Sequence, residues 1–159
     1  MELQPLAEDL VSQLTKQKQS LTTVESCTGG LVFATMTEIA GASAVMERGF
    51  ITYCNDAKQH LVGVKEATLK AHGAVSEQVA REMAIGGYER SSEGAISVAL
   101  TGIAGPGGGS EAKPVGLIYI AVADRTRCIV SRHIFDGHRS AIRTSAVKAS
   151  LTHVMKFTS

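Results

Sequence analysis

The sequence has almost no net charge and contains no long apolar run. The formal net charge of its 159 residues is +1 and the two signs are mixed throughout, so no patch for nucleic acid or lipid is predicted. No apolar run reaches the roughly 18 residues that a membrane span requires. Residues 1–5 lack the basic start and apolar core of a signal peptide. We therefore expect a cytoplasmic protein without nucleic-acid or membrane partners.

Cysteine is also scarce. The three cysteines, Cys27, Cys54 and Cys128, are odd in number and have no metal-like spacing, which favours reduced thiols over a disulfide framework. The five histidines are scattered without paired acids, so we predict neither a metal nor another cofactor. Hydrophobic residues make up 44% of the chain, which argues against a disordered protein.

Helical and strand patterns are mixed along the chain. The periodicity predicts helices at 5–19, 29–40, 55–62, 66–72, 76–88 and 138–156. It predicts strands at 21–25, 49–54, 95–101, 115–123 and 128–135. A polar turn between the last two strands indicates an antiparallel hairpin. Without a repeat or a linker, the chain is predicted to form one α/β layered sandwich domain over 1–159, with a mixed sheet flanked by helices.

One stretch, Val24–Gly30, joins a predicted strand directly to a predicted helix. Ser26 lies at the corner, and the two glycines remove side-chain bulk from the first helical turn. Free backbone N–H groups and the positive end of a helix dipole gather at such a corner, where they stabilise anions and developing oxyanions. We predict substrate contacts from Thr28, Gly29 and Gly30. The alternative is that Ser26 or Thr28 only caps the helix.

Two further segments are candidates for substrate binding. Thr101 and Gly102 end a predicted strand and open a glycine-rich loop, and ligands of open α/β sheets gather at strand ends. A sharp turn alone is the other explanation for the glycines. Arg139 and Arg143 lie one turn apart near the start of the last helix, where they would bind a phosphate. Surface or subunit contacts are the alternative for both arginines.

Six blocks of sequence occur in the order found in one known family. They are residues 25–30, 49–53 with 57–58, 73–76, 101–106, 113–116 and 135–139. Together they closely resemble the CinA C-terminal domain family over nearly the whole chain, as a stand-alone member. The resemblance implies an α/β sandwich that forms homo-oligomers. It also implies a nicotinamide-nucleotide amidase, which hydrolyses the carboxamide of nicotinamide mononucleotide to nicotinate mononucleotide and ammonia in pyridine-nucleotide (NAD) recycling.

The resemblance further implies three catalytic residues: Ser26 as nucleophile, Lys58 as its base, and Tyr53 beside them. A hydroxyl attack suits a carboxamide, a poor electrophile, because an acyl-enzyme divides the barrier into two steps. Lys58 can act as a base only when neutral, which requires its pKa to fall from about 10.4 to about 7–8. Partial burial can lower a lysine pKa by that amount. Tyr53 would relay a proton or orient the lysine amine.

Other interpretations of these residues remain open. Cys27 is the rival nucleophile, because a thiol at a helix start can have a lowered pKa. If strand alternation continues, however, Cys27 points away from Ser26 and into the apolar core. From the residues alone, an ordinary solvated lysine is the favoured interpretation of Lys58 and a rim aromatic that of Tyr53, and the resemblance reverses this preference. The alternative function is a non-catalytic nucleotide-binding or interaction module of the same family.

Overall fold

The computed structural model describes residues 3–159, so Met1 and Glu2 of the N-terminal stretch used above to predict localisation lie outside it. The elements in chain order are α1 Leu3–Gln17, β1 Ser20–Glu25, α2 Leu31–Thr37, a short 3₁₀ turn Ala42–Ala44, β2 Met46–Ile51, α3 Asn55–Val62, α4 Glu66–His72, α5 Glu77–Glu89, β3 Ala95–Gly102, β4 Leu117–Ala123, β5 Cys128–Ile134 and α6 Arg139–Thr158. Across these residues, none of the helices has both the length and the apolar character needed to cross a membrane.

The five strands form one mixed sheet in the order β2-β1-β3-β4-β5. Strand β1 pairs in parallel with β2 and β3, whereas β3, β4 and β5 pair antiparallel. The predicted α/β layered fold and the β4–β5 hairpin are thus confirmed. Because β1, β2 and β3 run in the same direction, the segments that follow them emerge at one edge of the sheet. Ser26, Thr52 and Ile103 begin those three segments.

Helices cover both faces of the sheet. On one face α1, α2 and α6 pack over a core that includes Leu21, and on the other α5 packs over a core that includes Val24. Strand β1 therefore contributes side chains to both cores and is buried from Leu21 to Glu25. This burial follows from its position between two parallel neighbours under helices. A strand fixed in this way provides a rigid base for the residue that follows it.

Helix α2 is shorter than predicted, covering Leu31–Thr37 instead of 29–40. Gly29 and Gly30 adopt φ values of 58° and 105°, in the left-handed region, so the chain is still turning where the periodicity predicted helix. Past the C-terminal end of α2, Ile39 is partly buried and packs against the core. The two glycines thus form the corner itself and not the first helical turn.

Strand β2 is displaced toward the N-terminus, at Met46–Ile51 instead of 49–54. Its register with β1 runs from Leu21 opposite Met46 to Glu25 opposite Ile51, and it ends where β1 ends. Tyr53 consequently lies on the connection to α3. Cys54 caps α3, and its Sγ accepts the Ala57 N–H at 3.4 Å.

Candidate active site

Glu25, the last residue of β1, anchors the corner after the strand. Its buried carboxylate accepts hydrogen bonds through Oε1 from the Thr28 hydroxyl at 2.7 Å and from the N–H groups of Gly30 and Val32 at 3.2 and 2.9 Å. Its Oε2 accepts the Phe33 N–H at 3.1 Å. This corrects the expectation of free N–H groups there, since the start of α2 already binds an internal anion. The carboxylate fixes the path of the chain after Ser26.

Arg143 of α6 binds the same corner through its backbone carbonyls. Its Nε donates to the Cys27 carbonyl at 3.1 Å and its Nη2 to the Thr28 carbonyl at 3.0 Å. The corner is therefore held by a carboxylate through its donors and by a guanidinium through its acceptors. Such charge-assisted bonds are stronger than neutral ones, so the position of Ser26 is well defined.

Ser26 and Lys58 are brought together at the edge of the sheet. Lys58 Nζ donates to Ser26 Oγ at 3.1 Å and to the Thr52 carbonyl at 2.8 Å. Ser26 is 7% exposed and Lys58 only 1%, although lysine is rarely buried to this extent. The burial lowers the pKa of Lys58, an effect that the Cys54 and Cys27 thiols oppose more weakly. The pair can act as a nucleophile with an adjacent base.

Tyr53 lies at the rim of the site and does not contact the lysine amine. It is 62% exposed, and its hydroxyl accepts a hydrogen bond from Arg139 Nη2 at 3.3 Å. Arg139 Nη1 also donates to the Gly105 carbonyl at 2.7 Å. The group that orients the amine of Lys58 is the Thr52 carbonyl, which sequence reasoning missed. The catalytic role of Tyr53 stays a prediction.

Cys27 belongs to a core cluster, as predicted, but it also lines a cavity together with Ser26. Burial raises the pKa of its thiol to about 11. A thiolate is the reactive form of cysteine, and it is scarce at neutral pH with such a pKa. Cys27 is therefore a poorer nucleophile here than a cysteine at an open helix start.

Thr101 and Gly102 at the end of β3 have packing roles as well as a place in the site. The Thr101 hydroxyl donates to the Ala74 carbonyl at 2.8 Å, which ties the segment before α5 to the sheet. A Cβ on Gly102 would lie 2.3 Å from Ile118 Cδ1 and 2.6 Å from the Leu117 carbonyl oxygen. Neighbouring backbone thus requires glycine at this position.

A cavity of about 300 Å³ opens in front of Ser26. It brings together six of the residues that the sequence predicted for the site: Ser26, Tyr53, Lys58, Thr101, Gly102 and Arg139. Four others do not line this cavity: Thr28, Gly29, Gly30 and Arg143. The wall also includes the rival nucleophile Cys27 and residues of the glycine-rich loop, Ile103, Ala104, Gly105, Gly107 and Gly108. Asn55, Ala74 and Val75 complete the wall and were not predicted as site residues. Among the described residues, no group of three or more His, Cys, Asp or Glu side chains is arranged for a metal ion.

Comparison with known proteins agrees with the sequence blocks. The family model of the CinA C-terminal domain matches residues 3–158. Nicotinamide-nucleotide amidohydrolase PncC of Escherichia coli strain K12 is 48% identical over 151 residues, which cover 94% of this chain and 91% of that protein. A putative competence-damage inducible protein of Caldicellulosiruptor bescii is 47% identical over 153 residues, 96% of this chain but only 37% of that longer protein.

Solved structures give the same result for the fold. The crystal structure of competence/damage inducible protein CihA from Agrobacterium tumefaciens matches with a TM-score of 0.96 and 42% identity, over 100% of this chain and 97% of that one. A CinA superfamily protein from Escherichia coli matches with a TM-score of 0.92 and 30% identity, over 98% and 90% of the two chains. The chain therefore belongs to the CinA C-terminal domain family.

Proposed function

We propose that this protein is a nicotinamide-nucleotide amidase, which hydrolyses nicotinamide mononucleotide to nicotinate mononucleotide and ammonia in NAD recycling. The observation that carries the proposal is the buried Lys58 amine 3.1 Å from Ser26 Oγ at a cavity. Its support in the family is the 48% identity to a relative named nicotinamide-nucleotide amidohydrolase, of which this chain covers 91%.

The first half-reaction uses Ser26 and Lys58 as nucleophile and base. One N–H of the neutral amine stays on the Thr52 carbonyl, and the amine lone pair accepts the Ser26 hydroxyl proton as Oγ attacks the carboxamide carbon. A C–O bond forms, and the carbonyl electron pair moves to the oxygen. When the C–N bond then breaks, the leaving nitrogen takes the proton from Lys58 and departs as ammonia. Ser26 is left as an ester of the nicotinate group.

The second half-reaction reverses these roles with water. Lys58, neutral again, removes a proton from a water molecule that attacks the ester carbon. The C–O bond to Ser26 breaks, and Oγ recovers a proton from the lysine. The products are nicotinate mononucleotide and the original enzyme, so no metal or redox cofactor enters the balance.

The oxyanion formed in both steps needs donors close to Ser26. The N–H groups at the start of α2 are bound to Glu25, which excludes them from this role. The backbone donor nearest in sequence to the nucleophile that also lines the cavity is the Cys27 N–H, and we assign oxyanion stabilisation to it. Arg143 positions this segment by binding its carbonyls.

Arg139 is the candidate for the substrate phosphate. It lies on the cavity wall as the first residue of α6, where the positive end of the helix dipole favours an anion. For Arg143, phosphate binding stays a prediction, and its two bonds to backbone carbonyls argue for positioning instead. In line with the family resemblance, we also propose a single-domain cytoplasmic homo-oligomer that needs no cofactor.

Ammonia release from nicotinamide mononucleotide by the purified protein tests the proposal. Wild type and Ser12→Ala, which changes an exposed serine of α1, should release ammonia at the same rate, whereas Ser26→Ala should release none. If wild type binds the nucleotide without releasing ammonia, the protein is instead a non-catalytic nucleotide-binding module. If it neither binds nor hydrolyses the nucleotide, the substrate has been misassigned.

A further inference from the structure

Two histidines and a serine meet on the α6 side of β5, away from the proposed reaction. Ser131 and His133 are alternate residues of β5 and so face the same side of the sheet, and His153 reaches them from α6. Strands β3 and β4 separate β5 from β1, which leads to Ser26. None of the three side chains has a part in the amidase mechanism.

The three polar atoms form a nearly equilateral triangle. The Nε2 atoms of His133 and His153 lie 3.0 Å apart. Ser131 Oγ lies 3.0 Å from His153 Nε2 and 3.1 Å from His133 Nε2. Zinc binds imidazole nitrogen at about 2.0–2.1 Å, so an ion about 1 Å above this triangle would reach all three atoms. The triangle is thus close to one face of a tetrahedral site.

The chemistry of the two imidazoles suits a metal ion. Imidazole nitrogen is a common ligand of zinc and of other late first-row ions. The ring of His133 is stacked on Phe135 with centroids 5.2 Å apart and planes 7° apart, which limits its rotation. One ligand is therefore already oriented.

The surroundings also limit the affinity. The positive charge of Lys156 lies close to His153 and disfavours a cation. Within residues 3–159 no third His, Cys, Asp or Glu completes the group. His153 also borders a cavity of about 200 Å³ with Arg127 and Lys156, which Ser131 and His133 do not line. An ion held by two imidazoles, a hydroxyl and water would be exchangeable.

We propose that His133, His153 and Ser131 bind a divalent late first-row metal ion, represented by Zn²⁺, and that this ion links β5 to α6. Imidazole ligands favour zinc, copper and nickel, whereas Mg²⁺ prefers oxygen ligands and should not bind. Because the ion binds the folded chain, it should also stabilise it. At a concentration about 100-fold above the dissociation constant, the melting temperature should rise by roughly 5–10 °C.

Calorimetric titration of tag-free protein with Zn²⁺ near neutral pH tests the site. One ion per chain should bind in wild type, and His133→Gln and His153→Gln should each weaken binding by at least about 10-fold. His60→Ala is the matched control, because it removes an exposed histidine that lies 3.1 Å from the Asp56 carboxylate. It should leave the affinity unchanged, and Mg²⁺ should give no binding in any variant.

A second measurement avoids reliance on the variants. In ¹⁵N spectra of wild type, Zn²⁺ should shift the ring nitrogens of His133 and His153 and leave those of His60 and His72 in place. The proposal is overturned by wild-type binding weaker than about 100 µM, by full affinity in both glutamine variants, or by shifts confined to the other histidines. If a glutamine variant does not fold without zinc, the ring-nitrogen shifts of wild type decide.

Discussion

Replacing Glu25 by Gln is the sharpest test of how the corner is built. The carboxylate accepts four hydrogen bonds, three through Oε1 and one through Oε2. A glutamine of the same shape keeps one oxygen and turns the other into a donor. The lowest-energy placement keeps the oxygen toward Thr28, Gly30 and Val32, and sets the NH₂ group against the Phe33 N–H. One hydrogen bond to a charged acceptor is then lost, and two donors face each other at a buried side chain.

The size of the effect follows from these contacts. A hydrogen bond to a charged group contributes about 1.5–3 kcal/mol. Loss of the negative charge at the start of α2 removes about 0.3–1 kcal/mol more. We therefore expect the free energy of unfolding to fall by about 2–4 kcal/mol, which lowers the melting temperature by roughly 5–15 °C in a chain of this length. Urea unfolding at constant pH, followed by circular dichroism, measures the first quantity directly.

Glu82→Gln is the matched control. Its carboxylate also accepts a backbone N–H, from Lys65 at 2.9 Å, and a hydroxyl, from Thr68 at 2.6 Å, but near solvent. Water can replace lost bonds there, so the destabilisation should stay below about 1 kcal/mol. Equal losses in the two variants would refute the argument that the buried carboxylate of Glu25 holds the corner.

Four further predictions concern the reaction. Arg139→Ala should reduce kcat/KM for nicotinamide mononucleotide by about 10- to 100-fold and affect the riboside much less. If Arg143 positions the corner, Arg143→Ala should reduce kcat/KM equally for the mononucleotide and the riboside. A loss with the mononucleotide alone would indicate instead that Arg143 binds the phosphate. Because burial lowers the pKa of Lys58, kcat/KM should rise with increasing pH through a single ionisation whose pKa lies below about 10.4. Lys58→Arg should be nearly as inactive as Lys58→Ala. A rise only at the ordinary pKa of lysine, or recovery of activity with arginine, would exclude the role of Lys58 as a base. Cys27→Ala should keep most activity, since its thiol has a pKa of about 11, and a dead variant that still folds would make Cys27 the nucleophile.

The sequence predicted the elements well where periodicity decides them. The β4–β5 hairpin is present, and α5 at Glu77–Glu89 lies within one residue of the predicted helix at 76–88. The β2 boundary was wrong because strand ends depend on pairing, and β1 stops at Glu25 opposite Ile51. Composition alone cannot report that register.

The candidate site was likewise predicted only in part from the sequence. The family resemblance indicated Ser26 and Lys58 as catalytic residues. In the structure Lys58 Nζ lies 3.1 Å from Ser26 Oγ, although the two residues are 32 positions apart in the sequence. The role of Glu25 was missed, although a carboxyl in an otherwise buried strand requires donors and the corner supplies them. Helical spacing set Arg139 and Arg143 on one face of α6, but it could not show that they bind different loops, one at Gly105 and the other at the corner.

Mass spectrometry of the quenched reaction tests the central claim most directly. Wild type is mixed with nicotinamide mononucleotide, quenched in acid during turnover, digested and searched for a nicotinate-mononucleotide ester. We expect this adduct on Ser26, and its absence from Ser26→Ala under the same conditions. An adduct on Cys27, or normal ammonia release by Ser26→Ala, would contradict it.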